Sequence, residues 1–208
     1  MRKCVIFCAG DMDIAPVQME DADLVIAADG GVRHTQRLGI TPHVVLGDFD
    51  SLGYVPQGAI VHPVEKDDTD AMLAVRLGLE RGYNLFYLYG AMDGTRVDHT
   101  LANFQLLQFL RKRGAKGYLV GNRQTATVLW GENAFAAHAT GVLSLFAMDG
   151  AAAQVSLTGL KYELQNGSIT PDFPLGVSNR FVGAKGRIAV GQGSLLAIYD
   201  TQTPFWEE

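Results

Sequence analysis

Short apolar runs that stop on glycine or aspartate, with helix-spaced segments between them, constrain this chain more than any other feature. Cys4–Ala9 closes on Gly10-Asp11, Asp23–Ala28 closes on Asp29-Gly30-Gly31, and His43–Leu46 runs into Gly47-Asp48. Ala59–Val64, Leu85–Tyr89 and Gly117–Val120 read as further strands, and Val32–Leu38, Ala71–Arg81 and Asp98–Arg113 as the helices between them. Strands that are apolar on both faces and alternate with helices imply a parallel sheet covered on both sides. The pattern stops near Gly121. Beyond it come β-rich pieces, Thr125–Trp130, Gly141–Ala147, Gln154–Leu157, Arg187–Val190 and Leu195–Tyr199, separated by glycine and polar turns. Gly191-x-Gly193 reads as one of those turns. The expectation is α/β: a parallel-sheet, Rossmann-like domain over 1–124, followed by a small all-β sandwich or barrel over 125–208.

A chain of 208 residues can bury a core in either one domain or two. Its 24 glycines suit strand-to-helix turns and backbone lying close to a ligand. A formal net charge of −5 with scattered Lys and Arg argues against a nucleic-acid binder, which needs a basic face. Such a chain can still take an anionic ligand if its carboxylates hold a divalent metal. Cys4 and Cys8 share one predicted strand and lie about 13 Å apart there, too far for a disulfide, so a reducing compartment is expected. No apolar run approaches a membrane span, and the run after Met1-Arg2-Lys3 breaks too early for a signal peptide. A cytoplasmic protein is expected.

Four acidic motifs follow apolar runs or open helices. Gly47-Asp48-Phe49-Asp50-Ser51 is the strongest, because two acids flanking a bulky apolar residue repel one another unless a cation lies between them. Asp29-Gly30-Gly31 places a carboxylate at a strand end, although a helix cap and turn would look the same. Lys66-Asp67-Asp68-Thr69-Asp70 serves equally as a helix start with first-turn acids, or as the source of a metal ligand in Asp70. Gly90 to His99 is a glycine-bearing loop containing Arg96, and the helix after it begins near Asp98. A helix N-terminus and an arginine both suit phosphate. His99 and Asn103 lie at i, i+4 and so share a helix face, with a half-buried histidine as the plainer alternative. No P-loop or complete Gly-x-Gly-x-x-Gly occurs, so any bound nucleotide phosphates would rest on metal, Arg96 and backbone.

In this order and spacing, Asp29-Gly30-Gly31, Gly47-Asp48-Phe49-Asp50-Ser51, Lys66-Asp67-x-Thr69-Asp70 and Gly90…Arg96-x-Asp98-His99 with Asn103 resemble the thiamine pyrophosphokinases. Gly159-Leu160-Lys161-Tyr162 and Val177-Ser178-Asn179 continue the likeness into the second half. The resemblance implies a nucleotide- and metal-binding α/β domain, then a β-sandwich that binds thiamine and dimerises. It implies transfer of the pyrophosphoryl group of ATP to the hydroxyethyl oxygen of thiamine, releasing AMP, with Mg2+ required. The active unit would be a homodimer with thiamine lodged between subunits, and no nucleic acid or membrane would be involved.

Carried over by position, Asp29, Asp48, Asp50 and Asp70 are the expected metal ligands, and Asp48, Asp50, Asp70 and Arg96 the expected catalytic set. Gly30, Gly31, Gly90, Arg96, Asp98, His99 and Asn103 match the ATP side, while Lys66, Thr69, Tyr162, Ser178 and Asn179 match the thiamine or phosphate side. Asp70 is the carboxylate named as a possible general base. Thr95 stands where the family commonly has a second glycine, and Glu65 where a shorter acid is frequent. The residues alone leave three rivals: a pyrophosphokinase for another hydroxyalkyl heterocycle such as a pterin, a non-catalytic nucleotide-binding module, and a metal-dependent phosphohydrolase.

Overall fold

In the computed structural model, residues 1–13, 23–137 and 140–201 are described. The chain is mixed α/β, rich in strand, with three helices among the described residues, and it divides into two compact units, Met1–Asn122 and Arg123–Glu208.

In the first unit the apolar runs become β1 (Lys3–Phe7), β2 (Leu24–Ala28), β3 (Val44–Gly47), β4 (Ile60–Val61), β5 (Leu85–Tyr89) and β6 (Lys116–Val120). All their pairings are parallel, in the order β6-β5-β1-β2-β3-β4. Every residue of β2, and all of β1 but Lys3, is buried, as a sheet covered on both faces requires. The run expected over Ala59–Val64 contributes only two exposed residues of edge strand, Ile60 and Val61, and the His62 N–H beyond them still donates to the Gly47 carbonyl at 2.9 Å.

The helices are α1 (Gly31–Leu38), α2 (Asp70–Glu80) and α3 (Val97–Arg111), each within two residues of its expected ends. α1 packs on β1 and β2, α2 on β1, β2 and β3, and α3 on β6. Only glycine fits at Gly31, since a Cβ there would lie 2.0 Å from the Phe7 carbonyl oxygen. From β1 the chain steps outward through β2, β3 and β4, then returns to the other side of β1 as β5 and β6. Such a reversal leaves a crevice at the C-terminal strand ends, where open parallel sheets bind ligands.

The second unit contains β7 (Gln124–Phe135), β8 (Val142–Phe146), β9 (Ala152–Thr158), β10 (Leu164–Ile169), β11 (Asn179–Arg180) and β12 (Gly186–Asp200), and its pairings are antiparallel. Two sequence expectations are corrected here. The segments Arg187–Val190 and Leu195–Tyr199 are not separate strands but the two halves of β12, and Gly191-x-Gly193 is not a turn. Those glycines lie where the register against β7 shifts between Val190 and Leu195. A bulge of this kind bends a strand without ending it.

The bend has a purpose in the pairing. The first half of β12 pairs with β9, the second half with β8, and both halves with β7. Around them Leu129, Phe135, Leu143, Leu157, Leu195 and Tyr199 form a buried core, with the Phe135 ring 5.1 Å from Phe181 and 6.2 Å from Tyr199. β10 and β11 were not anticipated. β10 is polar and carries Asn166 at a positive φ, and β11 is only two residues long. No helix among the described residues is long and apolar enough to cross a membrane.

Candidate active site

Two neighbouring strand ends deliver the acids. Asp29 follows β2 directly, and its N–H donates to the Leu46 carbonyl of β3 at 2.8 Å, which ties the two ends together. Gly47 ends β3 at φ 150°, and a Cβ there would come within 3.0 Å of the Asp29 backbone. The absence of a side chain lets the second acidic segment lie against the first. Phe49 adopts φ 61°, which is uncommon for a bulky residue, and is 3% exposed. Burial of its ring anchors a turn with the carboxylates of Asp48 and Asp50 on either side of it, braced by the Asp50 N–H donating to Asp48 Oδ1 at 3.3 Å.

Carboxylate oxygens of Asp29, Asp48 and Asp50 come within 4.8 Å of one another. Asp29 is the most buried of the three, at 8% exposure. Its Oδ2 accepts from Ser51 Oγ at 2.8 Å, while its Oδ1 is buried without a hydrogen-bond partner. The cap-and-turn alternative does not describe this residue: the N-cap of α1 is Gly30, with no side-chain cap, and the Asp29 carboxylate turns to Ser51. Arg33, on α1, donates to the Ser51 carbonyl and holds that segment down.

Asp70 joins through a lysine. Lys66 Nζ donates to Asp48 Oδ2 at 2.7 Å and forms an ion pair with Asp70 Oδ1 at 3.1 Å. The Lys66 hydrogen bond holds the Asp48 carboxyl below the usual carboxylate range. Burial pushes Asp70 up, and Lys66 offsets only part of that. Burial alone would lower the Lys66 ammonium, but its two carboxylate partners outweigh it and raise the group. Thr69 caps α2, its hydroxyl accepting from the Met72 N–H at 3.2 Å, so the helix-start reading of this motif holds alongside the ion pair.

The loop after β5 lies across the sheet's reversal point. Gly10 N–H donates to the Gly90 carbonyl at 2.9 Å, and Asp11 N–H to the Asp93 carbonyl at 3.2 Å. Asn103 is buried, and its side-chain amide donates to the Ala91 carbonyl at 2.6 Å. His99, by contrast, is exposed, so the pair expected on one helix face divides between solvent and loop support. Arg96 stands at the N-cap position of α3 without a side-chain cap and forms a forked pair with Asp98, at 3.0 and 2.7 Å, with both side chains 65% exposed. That fork pulls Asp98 down to about 2. The structure therefore keeps Arg96 and Asp98 outside the acidic cluster and on the rim of the loop.

In the second unit, Asn179 is buried and grips the backbone of Tyr162 at both ends. Its Oδ1 accepts from the Tyr162 N–H at 3.0 Å, and its Nδ2 donates to the Tyr162 carbonyl at 2.7 Å. Tyr162 is left 57% exposed, with Lys161 Nζ 5.3 Å from the centre of its ring. Ser178 is exposed at φ 60°, and its N–H donates to Ser144 Oγ at 3.1 Å.

Residue types and spacing did not single out Gly47, Phe49, Ser51 and Asp93. Gly47, Phe49 and Ser51 lie inside a motif already visible, and only the fold assigns them tasks. The Asp93 side chain accepts from the Asn122 N–H at 2.6 Å, a contact between residues far apart in the chain.

Two family descriptions match the chain: "Thiamin pyrophosphokinase, catalytic domain" over residues 16–119, and "Thiamin pyrophosphokinase, vitamin B1 binding domain" over 136–195. A thiamine pyrophosphokinase of Bacillus subtilis is 28% identical over 193 residues, covering 88% of this chain and 89% of the relative. The crystal structure of thiamine pyrophosphokinase from that organism superposes with a TM-score of 0.85 at 27% identity, covering 97% of this chain and all of the other. The Geobacillus thermodenitrificans thiamin pyrophosphokinase superposes at 0.78, also 27% identical, covering 96% and 97%. The Candida albicans thiamin pyrophosphokinase, at 14% identity, shares the fold with a TM-score of 0.74 over 96% of this chain and 88% of its own.

Proposed function

The chain belongs to the thiamine pyrophosphokinase family and is an enzyme of that activity, and on that premise we propose that the acidic pocket of the first unit is its catalytic centre. The observation that carries this reading is the convergence of Asp29, Asp48 and Asp50 within 4.8 Å, with one buried Asp29 oxygen lacking a partner.

The donor set fits Mg2+, since all its atoms are hard carboxylate oxygens. Asp29, Asp48 and Asp50 would hold it, with Asp70, the fourth acid expected there, beside them on Lys66 and left for the proton, and it would supply neutralisation of polyphosphate charge. The orphaned Asp29 oxygen would then have a partner.

The reaction joins the hydroxyethyl oxygen of thiamine to the β-phosphorus of ATP and breaks the bond from that phosphorus to the bridging oxygen that leaves with AMP. Asp70, whose burial makes it the more basic carboxylate, takes the hydroxyl proton. Arg96 and Lys66 supply cations to the non-bridging oxygens. Asn103 fixes the Ala91 carbonyl, and with it the loop that receives the nucleotide together with Gly30, Gly31, Gly90 and the start of α3 at Asp98 and His99. Carboxylates around the pocket suit thiamine's fixed positive charge.

The finer architecture follows the same reading: a Rossmann-like nucleotide domain over 1–124 and a thiamine-binding, dimerising β-sandwich over 125–208. Support for the sandwich comes from β12, which changes partners at its bulge. Support for a homodimer comes from the apolar residues that the second unit leaves exposed, Tyr162, Phe173, Leu175, Val177 and Val182. Tyr162, held by Asn179, and Ser178 beside it are the thiamine contacts we assign. The buried free thiols of Cys4 and Cys8 suit a reducing cytoplasm.

AMP release from ATP, followed against added thiamine with and without Mg2+, tests the assignment when native chain and Asp50→Asn are compared. Thiamine- and Mg2+-dependent AMP from the native chain, with turnover lost in the variant, is the expected result. Undiminished turnover in Asp50→Asn would move the centre elsewhere, and product from a hydroxymethylpterin but not from thiamine would reject the substrate.

A further inference from the structure

The pocket already contains a cation of its own. Lys66 Nζ lies between Asp48, at the end of β3, and Asp70, at the start of α2, and 14% of the Lys66 side chain is exposed. Both Asp48 oxygens already have a donor: Oδ2 accepts from Lys66 and Oδ1 from the Asp50 N–H. Asp29, which shares the cluster, has an oxygen to spare. A divalent ion that engages Asp29, Asp48 and Asp50 together meets these two donors at Asp48, and one of them is an ammonium 2.7 Å away that repels it. The Asp50 N–H is fixed by the turn that Phe49 anchors. Lys66 is the one that can leave, because an ammonium on a flexible four-carbon stem can swing away and be hydrated or find a phosphate.

Resting on the assignment of this pocket to metal, we propose that Lys66 is an exchangeable counter-ion. It holds Asp48 and Asp70 together in the ligand-free chain, yields both carboxylates when a divalent cation enters, and passes its ammonium to the polyphosphate. Two carboxylates held within each other's reach repel, most strongly at short range, and the ammonium between them offsets that repulsion. The lysine therefore stabilises the empty pocket and competes with bare metal. A metal ion arriving with a nucleotide meets less competition, since the phosphates offer the ammonium a new partner. Metal and nucleotide then bind with positive coupling, and the coupling resides in one side chain.

The test is binding of Mn2+ alone to the full chain, by calorimetry or by the loss of its free electron-spin signal, without nucleotide. Lys66→Met should bind Mn2+ about tenfold more tightly than the native chain, the order expected from deleting one competing charge near the surface. Lys66→Arg should stay close to native. With α,β-methylene-ATP present, the gap between native and Lys66→Met should narrow. In the native chain, trace acetylation of Lys66, read by peptide mass spectrometry, should speed up when Mn2+ is added, and this readout does not depend on any variant folding. Asp50→Asn separates the two layers of the reading. If it binds Mn2+ as the native chain does, the pocket assignment falls and the proposal with it. If Asp50→Asn is weakened but Lys66→Met binds no more tightly than native, or Lys66 acetylation ignores Mn2+, the pocket stands and the role of Lys66 is overturned.

Discussion

Replacing Asp29 by Asn should make the protein more stable and the pocket useless. Asp29 sits at φ 46°, a left-handed conformation that Asn adopts at least as easily. The Ser51 hydroxyl, 2.8 Å from Oδ2, keeps an acceptor in the amide oxygen. The variant loses repulsion from Asp48 and Asp50, whose oxygens lie within 4.8 Å. At an effective dielectric near 20, one such pair is worth about 3 kcal/mol, of which Lys66 already cancels a part. The buried Oδ1 no longer carries unpartnered charge. Against this stands the lost attraction between a carboxylate and the N-terminus of α1, roughly 0.3–1 kcal/mol. The net expectation is a gain of about 2 kcal/mol in a chelating buffer.

Metal reverses the order. At a hundredfold excess over its dissociation constant, a bound ion stabilises the native chain by about 2.7 kcal/mol, and Asp29→Asn should gain little. Urea denaturation of both proteins, in EDTA and again in saturating Mg2+, reads all four values. Asp29→Asn less stable than native in EDTA would refute the like-charge reasoning. Equal stabilisation of both proteins by Mg2+ would refute the ligand role.

Three other changes follow from the same structure. Phe49→Ala removes a ring that is 3% exposed and should cost about 3–5 kcal/mol in urea denaturation, with Mn2+ binding weakened because the turn loses its anchor. Burial pushes the Lys116 ammonium down to about 8, so between about pH 8 and pH 10.5 the unfolded chain binds the extra proton and stability rises with pH. Lys116→Met should accordingly stabilise at pH 7 by about 2 kcal/mol, less than the full shift because a contact with the Tyr118 ring is lost, and the advantage should vanish near pH 10.5 in a pH series of denaturation curves. Burial likewise raises the thiols of Cys4 and Cys8 to about 12, so iodoacetamide at neutral pH should leave both unmodified, by intact mass, until denaturant is added.

The parallel strands other than β4 were legible as apolar runs that lead into a glycine or aspartate, and the helices because Gly39, Gly82 and Gly114 follow them. The acidic motifs were legible as carboxylates placed after strands. Two things were not. A strand that bends at Gly191 and Gly193 looks like two strands and a turn, because the pairing that makes it continuous comes from β7, more than fifty residues earlier. Nor does spacing reveal which charge answers which. Arg96 stood in the motifs as a phosphate ligand, yet it pairs with Asp98 two residues on, while Lys66 makes the ion pairs with Asp48 and Asp70.

The bent final strand also bears on biogenesis. β7, β8 and β9 each await pairing with β12, so a growing chain must be made through Asp200 before the second unit can close its core. The six parallel strands of the first unit complete their pairings with one another once β6 is made. On the ribosome that unit can fold while the later strands are still emerging with apolar faces uncovered, and that interval is when chaperones or aggregation would find them.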